Sequence, residues 1–439
     1  MSTEPLRIGL AGLGTVGAAF IKLLEQKNAL LTRQCGRPIE VLSACARDRN
    51  RDRGVDLSNV EWYDDAVKLA EAPNLDVFVE LIGGDGEPAL SAVKAAIQSG
   101  KHVVTANKAL IAKHGVELAI LAEEQGVLLN FEAAVAGGIP VIKTMREALA
   151  GNTVSRLYGI LNGTCNYILT RMEEEEIGFA EVLADAQRLG YAEADPTFDI
   201  EGNDTAHKLA IMTSIAFGTQ IAGDDIYLEG ISNITLADIR AARDLGYRIK
   251  LLGVAQKTER GIEQRVHPTM VPIESQIAQV DDVINAVVLE TDLLGALLMS
   301  GPGAGGEATA SAVMGDVADI AKSRPGRQHV PALVTPAKEL APYQRARMRS
   351  HEGGYFIRLL VRDEVGVFAA IAQRMAAANI SLQSIVQRDD PDSPEKDSKA
   401  IILTTHATME TAVRQAIADI ESDGHLRGSA QVIRMEPAG

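Results

Sequence analysis

The 439-residue sequence predicts an α/β protein: a doubly wound parallel-sheet domain, an α+β domain after it, and a small ferredoxin-like module at the end. Three observations carry this. A glycine-rich turn, Gly12-Leu13-Gly14-Thr15-Val16-Gly17, stands between an apolar strand and a helix. Apolar strand patterns then alternate with helical ones as far as Phe131, and beyond Gly354 the periodicity follows a βαββαβ order.

Arg7–Ala11 reads as a buried strand that runs into the glycine turn and then into an apolar-periodic helix through Leu24, which is the context a GxGxxG needs to carry meaning. Gly12 permits the tight turn, Gly14 lets the backbone approach a pyrophosphate, and Gly17 lets the helix pack on the strand. The diphosphate then sits at the helix N-terminus, beside Thr15 and Val16. Further strands are predicted at Ile39–Ala46, Asp76–Ile82, Lys101–Thr105 and Val127–Phe131, with helices at Glu87–Ser99 and Val116–Gln125 between them. Residues 1–142 are therefore expected to form a Rossmann-type doubly wound nucleotide domain. Its second strand ends in Ala44-Cys45-Ala46-Arg47, where NAD-selecting domains often carry an acidic residue. Arg47 instead offers a guanidinium to a 2′-phosphate, so NADP(H) is expected over NAD(H). Arg47, Arg49, Arg51 and Arg53 also read as a solvated loop, with Asp48 beside the first.

From Lys143 to Leu298 no second glycine fingerprint occurs, and residues 143–299 are taken as the α+β substrate-binding and dimerisation domain. It holds a densely charged run, Gly190 to Lys208, with Glu193, Asp195, Asp199, Asp204 and Lys208 among turn-forming residues. Asn203 or Asp204 can cap a helix start, and Asp204 and Lys208 then fall one turn apart on one face. Standing alone, that pair reads as a solvated i,i+4 salt bridge; in a site, it is a carboxylate holding an ammonium, suited to gripping a small amino acid and moving a proton. Ser300–Gly306 reads on its own as a flexible glycine hinge before a small-residue helix over Glu307–Ala321; the family resemblance given below implies instead that about 300–323 returns to complete the nucleotide domain. Residues 324–352, with several prolines and basic residues, read as a linker. The module over 353–435 begins with a strand at Tyr355–Val361 and a helix at Val367–Ala378. Strands at Ile380–Gln387 and Ala400–His406 follow, joined by a polar turn, Asp389–Lys399, and a helix at Met409–Ile420 and a strand at Ala430–Arg434 complete it.

Composition bounds the function. Charged residues at 23% and hydrophobic ones at 46% are ordinary for a globular enzyme, and a formal charge of −16 argues against nucleic acid or an anionic membrane as partner. No apolar run is long enough to span a bilayer, and Met1–Arg7 lacks the apolar core of a signal peptide. Cys35, Cys45 and Cys165 are odd in number and lack zinc-like spacing, which fits a reduced cytoplasmic setting.

Taken together, the glycine turn and the charged run resemble homoserine dehydrogenase. The family's characteristic run stands here as Ala186, Gly190-Tyr191-Ala192, Asp195-Pro196, Asp199-Ile200, Gly202, Asp204 and Lys208. Thr105-Ala106-Asn107-Lys108, Glu132–Pro140 and Gly159–Tyr167 also match. The C-terminal module looks like an ACT domain. The resemblance implies an NAD(P)-dependent enzyme, a homo-oligomer, that interconverts L-aspartate 4-semialdehyde and L-homoserine. It further implies cofactor contacts at Gly12, Gly14, Thr15, Val16, Gly17, Arg47, Thr105, Lys108, Gly190 and Gly303.

For the chemistry, an aldehyde accepting hydride develops negative charge on its oxygen, so a proton donor or cation must lie within reach. Lys208, beside Asp204, is the expected acid; Lys108, placed by Asn107 at the end of a strand, is the second cation. Lys108 as a plain surface lysine at a helix start would oppose the helix dipole. Glu193, Asp199 and Asp204 are assigned to the substrate. The loop carrying Glu132, Val135, Gly137 and Ile139 can turn carbonyls toward one hard cation, and the family holds a sodium ion there; from spacing alone it reads as a strand end with a glycine bulge. In ACT domains the turn Asp363–Gly366 and the start of the second strand, Asn379-Ile380, take a regulatory amino acid, here expected to be threonine. Two rival readings are an acylating aldehyde dehydrogenase with Cys165 as nucleophile and a catalytically silent sensor of NADP and amino acids.

Overall fold

The computed structural model describes residues 4–323, 330–346, 352–389 and 398–437. The first sheet has six parallel strands, β1 (Leu6–Ala11), β2 (Ile39–Cys45), β3 (Glu61–Tyr63), β4 (Val77–Glu80), β5 (His102–Thr105) and β6 (Leu129–Asn130), in the order β3-β2-β1-β4-β5-β6. Both faces are buried, and residues alternate between them. Ile8, Leu10, Val77, Val79 and Val104 pack with the helices Thr15–Cys35 and Gly306–Lys322, while Phe78 and Val103 pack with Ala66–Glu71, Ala89–Gln98 and Lys108–Gln125. The strand order reverses between β1 and β4, which opens a crevice at their C-terminal ends.

Several element bounds differ from the sequence reading by a few residues, and two of the differences have a clear local cause. The helix predicted over Val116–Gln125 starts at Lys108, because Asn107 accepts the Leu110 amide at 3.1 Å and so caps an earlier start. The strand predicted to reach Phe131 stops at Asn130, since the chain then turns into a short 3₁₀ segment, Glu132–Ala134.

The second sheet contains β7 (Val154–Ile160), β8 (Tyr227–Leu228), β9 (Tyr247–Thr258), β10 (Gly261–Pro272), β11 (Ile284–Thr291) and β12 (Gly295–Pro302). The βαββαβ module adds β13 (Glu352–Arg362), β14 (Leu382–Asp389), β15 (Ser398–Thr405), β16 (Thr408–Met409) and β17 (Gln431–Met435) to the same sheet. The order is β12-β11-β7-β9-β10-β17-β13-β15-β14, with β8 on β10 and β16 on β13. The junction is a parallel pairing of β17 with β10 at Thr269↔Arg434 and Met270↔Met435. A module that the sequence presents as an appended unit is thus hydrogen-bonded into the sheet, each part covering an edge that the other would leave open. The helix Asn203–Phe217 lies on β9 and β10.

The described part of the predicted linker, 330–346, is packed rather than free: Leu333, Ala337, Leu340 and Ala346 are buried, and Ala337 donates its amide to the Glu123 carboxylate. Residues 324–329 and 347–351 of that stretch, and 390–397 of the predicted turn Asp389–Lys399, lie outside the described residues. Among the described residues no helix is long and apolar enough to cross a membrane.

Charge pairs reinforce the sheet junction. Arg358 of β13 donates to Asp238 at 2.6 Å and to Thr235 Oγ1 at 3.1 Å, and Asp238 is fully buried. Removing the guanidinium leaves that carboxylate without its counter-charge. Arg358→Ala is expected to destabilise the chain by about 3 kcal/mol in denaturant titration. A loss below about 0.5 kcal/mol, the size of an ordinary surface change, would show that this pair does not anchor the module.

Candidate active site

The crevice at the ends of β1, β4 and β5 holds a cleft of about 250 Å³, bordered by Val16, Gly83, Lys108, Val135, Gly137, Lys208 and Gly303 among others. Its floor is built for close backbone approach. Gly12 has φ +101°, and a Cβ there would lie 2.4 Å from the Leu81 carbonyl oxygen; one on Gly17 would lie 2.2 Å from the Gly12 oxygen. Gly14 opens on empty space at the start of Thr15–Cys35, where no side chain caps the helix, so amides and room for an anion coincide. These are the features that a dinucleotide diphosphate requires.

Thr105 acts from below: it is fully buried, donates to Glu80 at 2.5 Å and accepts the Asn107 amide at 2.9 Å. The other Glu80 oxygen accepts the amides of Ile82 and Gly83 at 2.7 and 3.0 Å, which fixes the cleft wall. Arg47 is exposed past the end of β2, while Arg53 is folded back onto the Leu13 carbonyl at 3.0 Å and Asp48 accepts the Asn50 amide at 2.9 Å. Gly190 is the left-handed C-cap of Phe179–Leu189, exposed and away from the cleft lining. Gly303 and Gly137 meet, for a Cβ on Gly137 would lie 2.3 Å from the Gly303 oxygen.

Opposite the glycine turn stands the charge cluster. Gly202, with φ +87°, starts the helix Asn203–Phe217, and neither Asn203 nor Asp204 serves as its cap. The Asp204 carboxylate is committed elsewhere: Oδ2 receives Lys208 Nζ at 2.7 Å and Oδ1 lies 2.9 Å from Lys108 Nζ. Burial by itself would raise the Asp204 pKa, but Lys208 and Lys108 outweigh it and hold the carboxyl well below its ordinary value. Lys208 donates a second hydrogen bond to the Leu161 carbonyl at 2.7 Å, which leaves one of its three protons for the cleft that it lines. Asp204 thus holds two ammoniums at the edge of the cleft, the kind of charge that a developing oxyanion needs.

Asn162 completes the cluster. Its side-chain amide donates to Asp199 at 2.8 Å and to Asp204 at 2.9 Å, while its oxygen accepts the Cys165 amide at 2.8 Å and caps Gly163–Glu175. Burial and the Asp204 charge push the Asp199 carboxyl up. Glu193 is exposed on the turn after Gly190, and its carboxylate is not part of this cluster. The capping role of Asn162 has a sequence signal, an Asn ahead of a helical pattern; its sharing between two distant aspartates has none. Glu80 and the Leu161 carbonyl are likewise invisible as site elements in the sequence.

The Glu132–Ile139 segment is tightly tied. The Glu132 carboxylate accepts the Ile142 and Lys143 amides, both at 2.8 Å, and burial raises its pKa to about 7. Its carbonyl accepts Val135 N at 3.4 Å, that of Ile139 accepts Val141 N at 2.8 Å, and Val135 and Gly137 border the cleft. Each carbonyl keeps a second lone pair, so the loop is compatible with a hard cation on main-chain oxygens. Among the described residues no group of three or more His, Cys, Asp or Glu side chains could hold a metal ion. Cys165 is fully buried and donates to the Asp199 carbonyl at 3.2 Å; burial and the charges of Asp199 and Asp204 push its pKa well up, the reverse of an activated thiol. In the C-terminal module, Gly366 has φ +95° before Val367–Ala377, Asp363 lies 3.7 Å from Lys399, Asn379 has φ +56°, and Ile380 is buried.

Comparison with known proteins agrees with this geometry. The family models described as homoserine dehydrogenase and as the homoserine dehydrogenase NAD binding domain match residues 140–318 and 12–132, and the ACT domain matches 355–425. Homoserine dehydrogenases of Pseudomonas aeruginosa and Neisseria gonorrhoeae are 45% and 43% identical, with 99% of each chain covered. Among solved structures, a homoserine dehydrogenase from Thiobacillus denitrificans aligns with a TM-score of 0.93 at 44% identity, covering 100% of this chain and 99% of that one. A hyperthermophilic archaeal homoserine dehydrogenase in complex with NADPH aligns with a TM-score of 0.62 at 27% identity, covering 72% and 97% of the two chains. With a glycine-built nucleotide cleft facing a lysine–aspartate–lysine cluster and this likeness along its whole length, the chain belongs to the homoserine dehydrogenase family and is an NAD(P)-dependent oxidoreductase.

Proposed function

We propose that the chain reversibly reduces L-aspartate 4-semialdehyde to L-homoserine, with NADP(H) preferred over NAD(H), on the route to threonine, methionine and isoleucine. The observation that carries this reading is Asp204 holding Lys208 at 2.7 Å and Lys108 at 2.9 Å beside the cleft. Nicotinamide, when bound, supplies or accepts the hydride. Lys208 turns its free proton to the carbonyl oxygen, gives it to the nascent alkoxide, and takes it back in alcohol oxidation. Lys108 polarises the same oxygen. Asp204 keeps both cations in register, and Asp199, tied to it through Asn162, takes the substrate's ammonium together with Glu193 of the preceding turn.

Several finer assignments belong to this reading. Gly12, Gly14, Thr15, Val16, Gly17 and Gly303 hold the cofactor backbone and Arg47 its 2′-phosphate; a sodium ion sits on the Glu132, Val135, Gly137 and Ile139 carbonyls. The ACT domain takes threonine and lowers activity, the assembly is a homo-oligomer, and three buried free thiols favour a reducing, cytoplasmic setting.

Spectrophotometry of NADPH formation with L-homoserine tests the reaction, and no turnover with either cofactor would defeat it. Lys208→Ala should lower kcat by about 10²–10⁴ with NADPH binding retained, since general acid–base groups contribute on that scale; near-normal turnover would remove Lys208 from proton transfer.

Asn162→Ala should lower kcat/KM for homoserine by about 10–100-fold, the size of lost hydrogen bonds to charged groups, while the NADPH dissociation constant stays put. Steady-state kinetics beside a cofactor titration separates the two effects.

Arg47→Ala should weaken NADP(H) more than NAD(H), and equal losses in a binding titration would mean that Arg47 does not read the phosphate.

Because Cys165 is enclosed and protonated, a maleimide applied to the native enzyme should leave homoserine oxidation intact; prompt inactivation would reopen the acylating alternative.

A further inference from the structure

Gly303 borders the catalytic cleft, yet its own backbone does not ask for glycine, since it lies outside the left-handed region. One neighbour does. A Cβ at Gly303 would collide with Cγ and Nδ2 of Asn285, so the Asn285 amide fills the space directly behind the Gly303 Cα. On another side the Gly303 carbonyl packs on Gly137, and the turn is gripped between the two.

Asn285 is sealed and unsatisfied. It is 1% exposed, and neither Oδ1 nor Nδ2 has a hydrogen-bond partner among the described residues. A buried amide in that state costs free energy, and such groups are rare enough to need a reason. The strand that carries it is fixed. Asn285 pairs with Gly301 and Ala286 with Ile160, while Asn166 donates to the carbonyls of Val280, Asp282 and Ile284 at 3.0, 2.9 and 3.3 Å. Asn166 belongs to the helix that Asn162 caps, so Asn285 is anchored to the substrate side of the cleft.

The turn in front of it is the adjustable partner. Pro302 accepts the Gly138 amide at 3.0 Å and Gly305 accepts the Thr309 amide at 3.0 Å, which holds the two ends and leaves Gly303-Ala304 between them. The N–H and C=O of Gly303 flank the very Cα that the amide touches, so a small shift of the turn brings a donor or an acceptor to Asn285. The turn then runs into the helix Gly306–Lys322, whose first residue packs on Thr15 at the start of the glycine-turn helix.

We infer that Asn285 is a positioning residue for the cofactor: it backs the Gly303 turn, and the turn's backbone completes its amide when the dinucleotide presses the turn onto it. The inference rests on the reading that Gly303 touches the cofactor. In the free enzyme the amide stands without a partner at a cost that binding removes, so part of the cofactor affinity resides in a side chain that never meets the cofactor.

The test is a double-variant cycle on the full chain, read by fluorescence titration with NADPH, by melting with and without NADPH, and by steady-state kinetics. Asn285→Ala should raise the NADPH Kd about tenfold, the scale of one or two lost hydrogen bonds, and Asn285→Ser should recover part of that loss. The rise in melting temperature given by saturating NADPH should shrink in step, while kcat at saturating cofactor and the homoserine KM stay within about twofold. Gly303→Ala should raise the Kd at least about tenfold through its collision with Asn285, and in the combined Gly303→Ala, Asn285→Ala variant that second loss should vanish, because the methyl group enters the vacated space. Losses that simply multiply in the combined variant, or a Kd weakened by Gly303→Ala and untouched by Asn285→Ala, would overturn the inference and leave the Gly303 contact standing. An unchanged Kd in both single variants would remove that contact as well. A fall in kcat with both KM values displaced alike and a lower melting temperature of the free enzyme would mark a purely structural role and overturn the inference too.

Discussion

Everything at the catalytic end of the molecule depends on one enclosed carboxylate. Asp204 lies between Lys208 and Lys108, whose ammoniums come from two different domains, and it is charged because both are there. Were both lysines absent, Asp204 would be a buried ion without a partner, which costs about 3–5 kcal/mol. The cluster is therefore a register device: it sets the helix Asn203–Phe217 against the end of a nucleotide-domain strand. Lys108 sits at the first position of its helix, where the dipole disfavours a cation, and Asp204 is what makes that position tenable.

Around this pair the backbone is held by polar contacts that do no chemistry. Asn162 spends its amide on Asp199 and Asp204 and its oxygen on a helix cap, so one side chain ties three segments together. Glu80 and Thr105 do the same for the opposite wall, and all of these are enclosed, which makes each bond costly to lose. Glycines set the remaining distances. At Gly12, Gly17 and Gly137 another backbone carbonyl occupies the space that a side chain would need.

The shared sheet gives this site a long reach. Because β17 pairs with β10, and β10 lies under the helix carrying Lys208, the C-terminal module and the catalytic helix rest on one continuous layer. Arg358–Asp238 and the contact of Arg434 with Glu229 fasten the module further, on the side where the Tyr227–Ile234 segment meets it.

The sequence by itself determined the nucleotide domain, the charged run and the βαββαβ module, because each is written in local periodicity: strand–turn–helix around Gly12–Gly17, an i,i+4 spacing of Asp204 and Lys208, and alternating apolar strands after Gly354. It also marked Lys108, after Asn107 at the end of a strand, although it placed the start of that helix eight residues late. Only the tertiary structure decided that Lys108 and Lys208 share one carboxylate, that Asn162 bridges two aspartates, that Cys165 is sealed, and that the module joins the sheet through β10. These are contacts between segments dozens to hundreds of residues apart. Side-chain period and turn chemistry act over a few residues, whereas such contacts are set by how whole layers pack, so no local pattern records them.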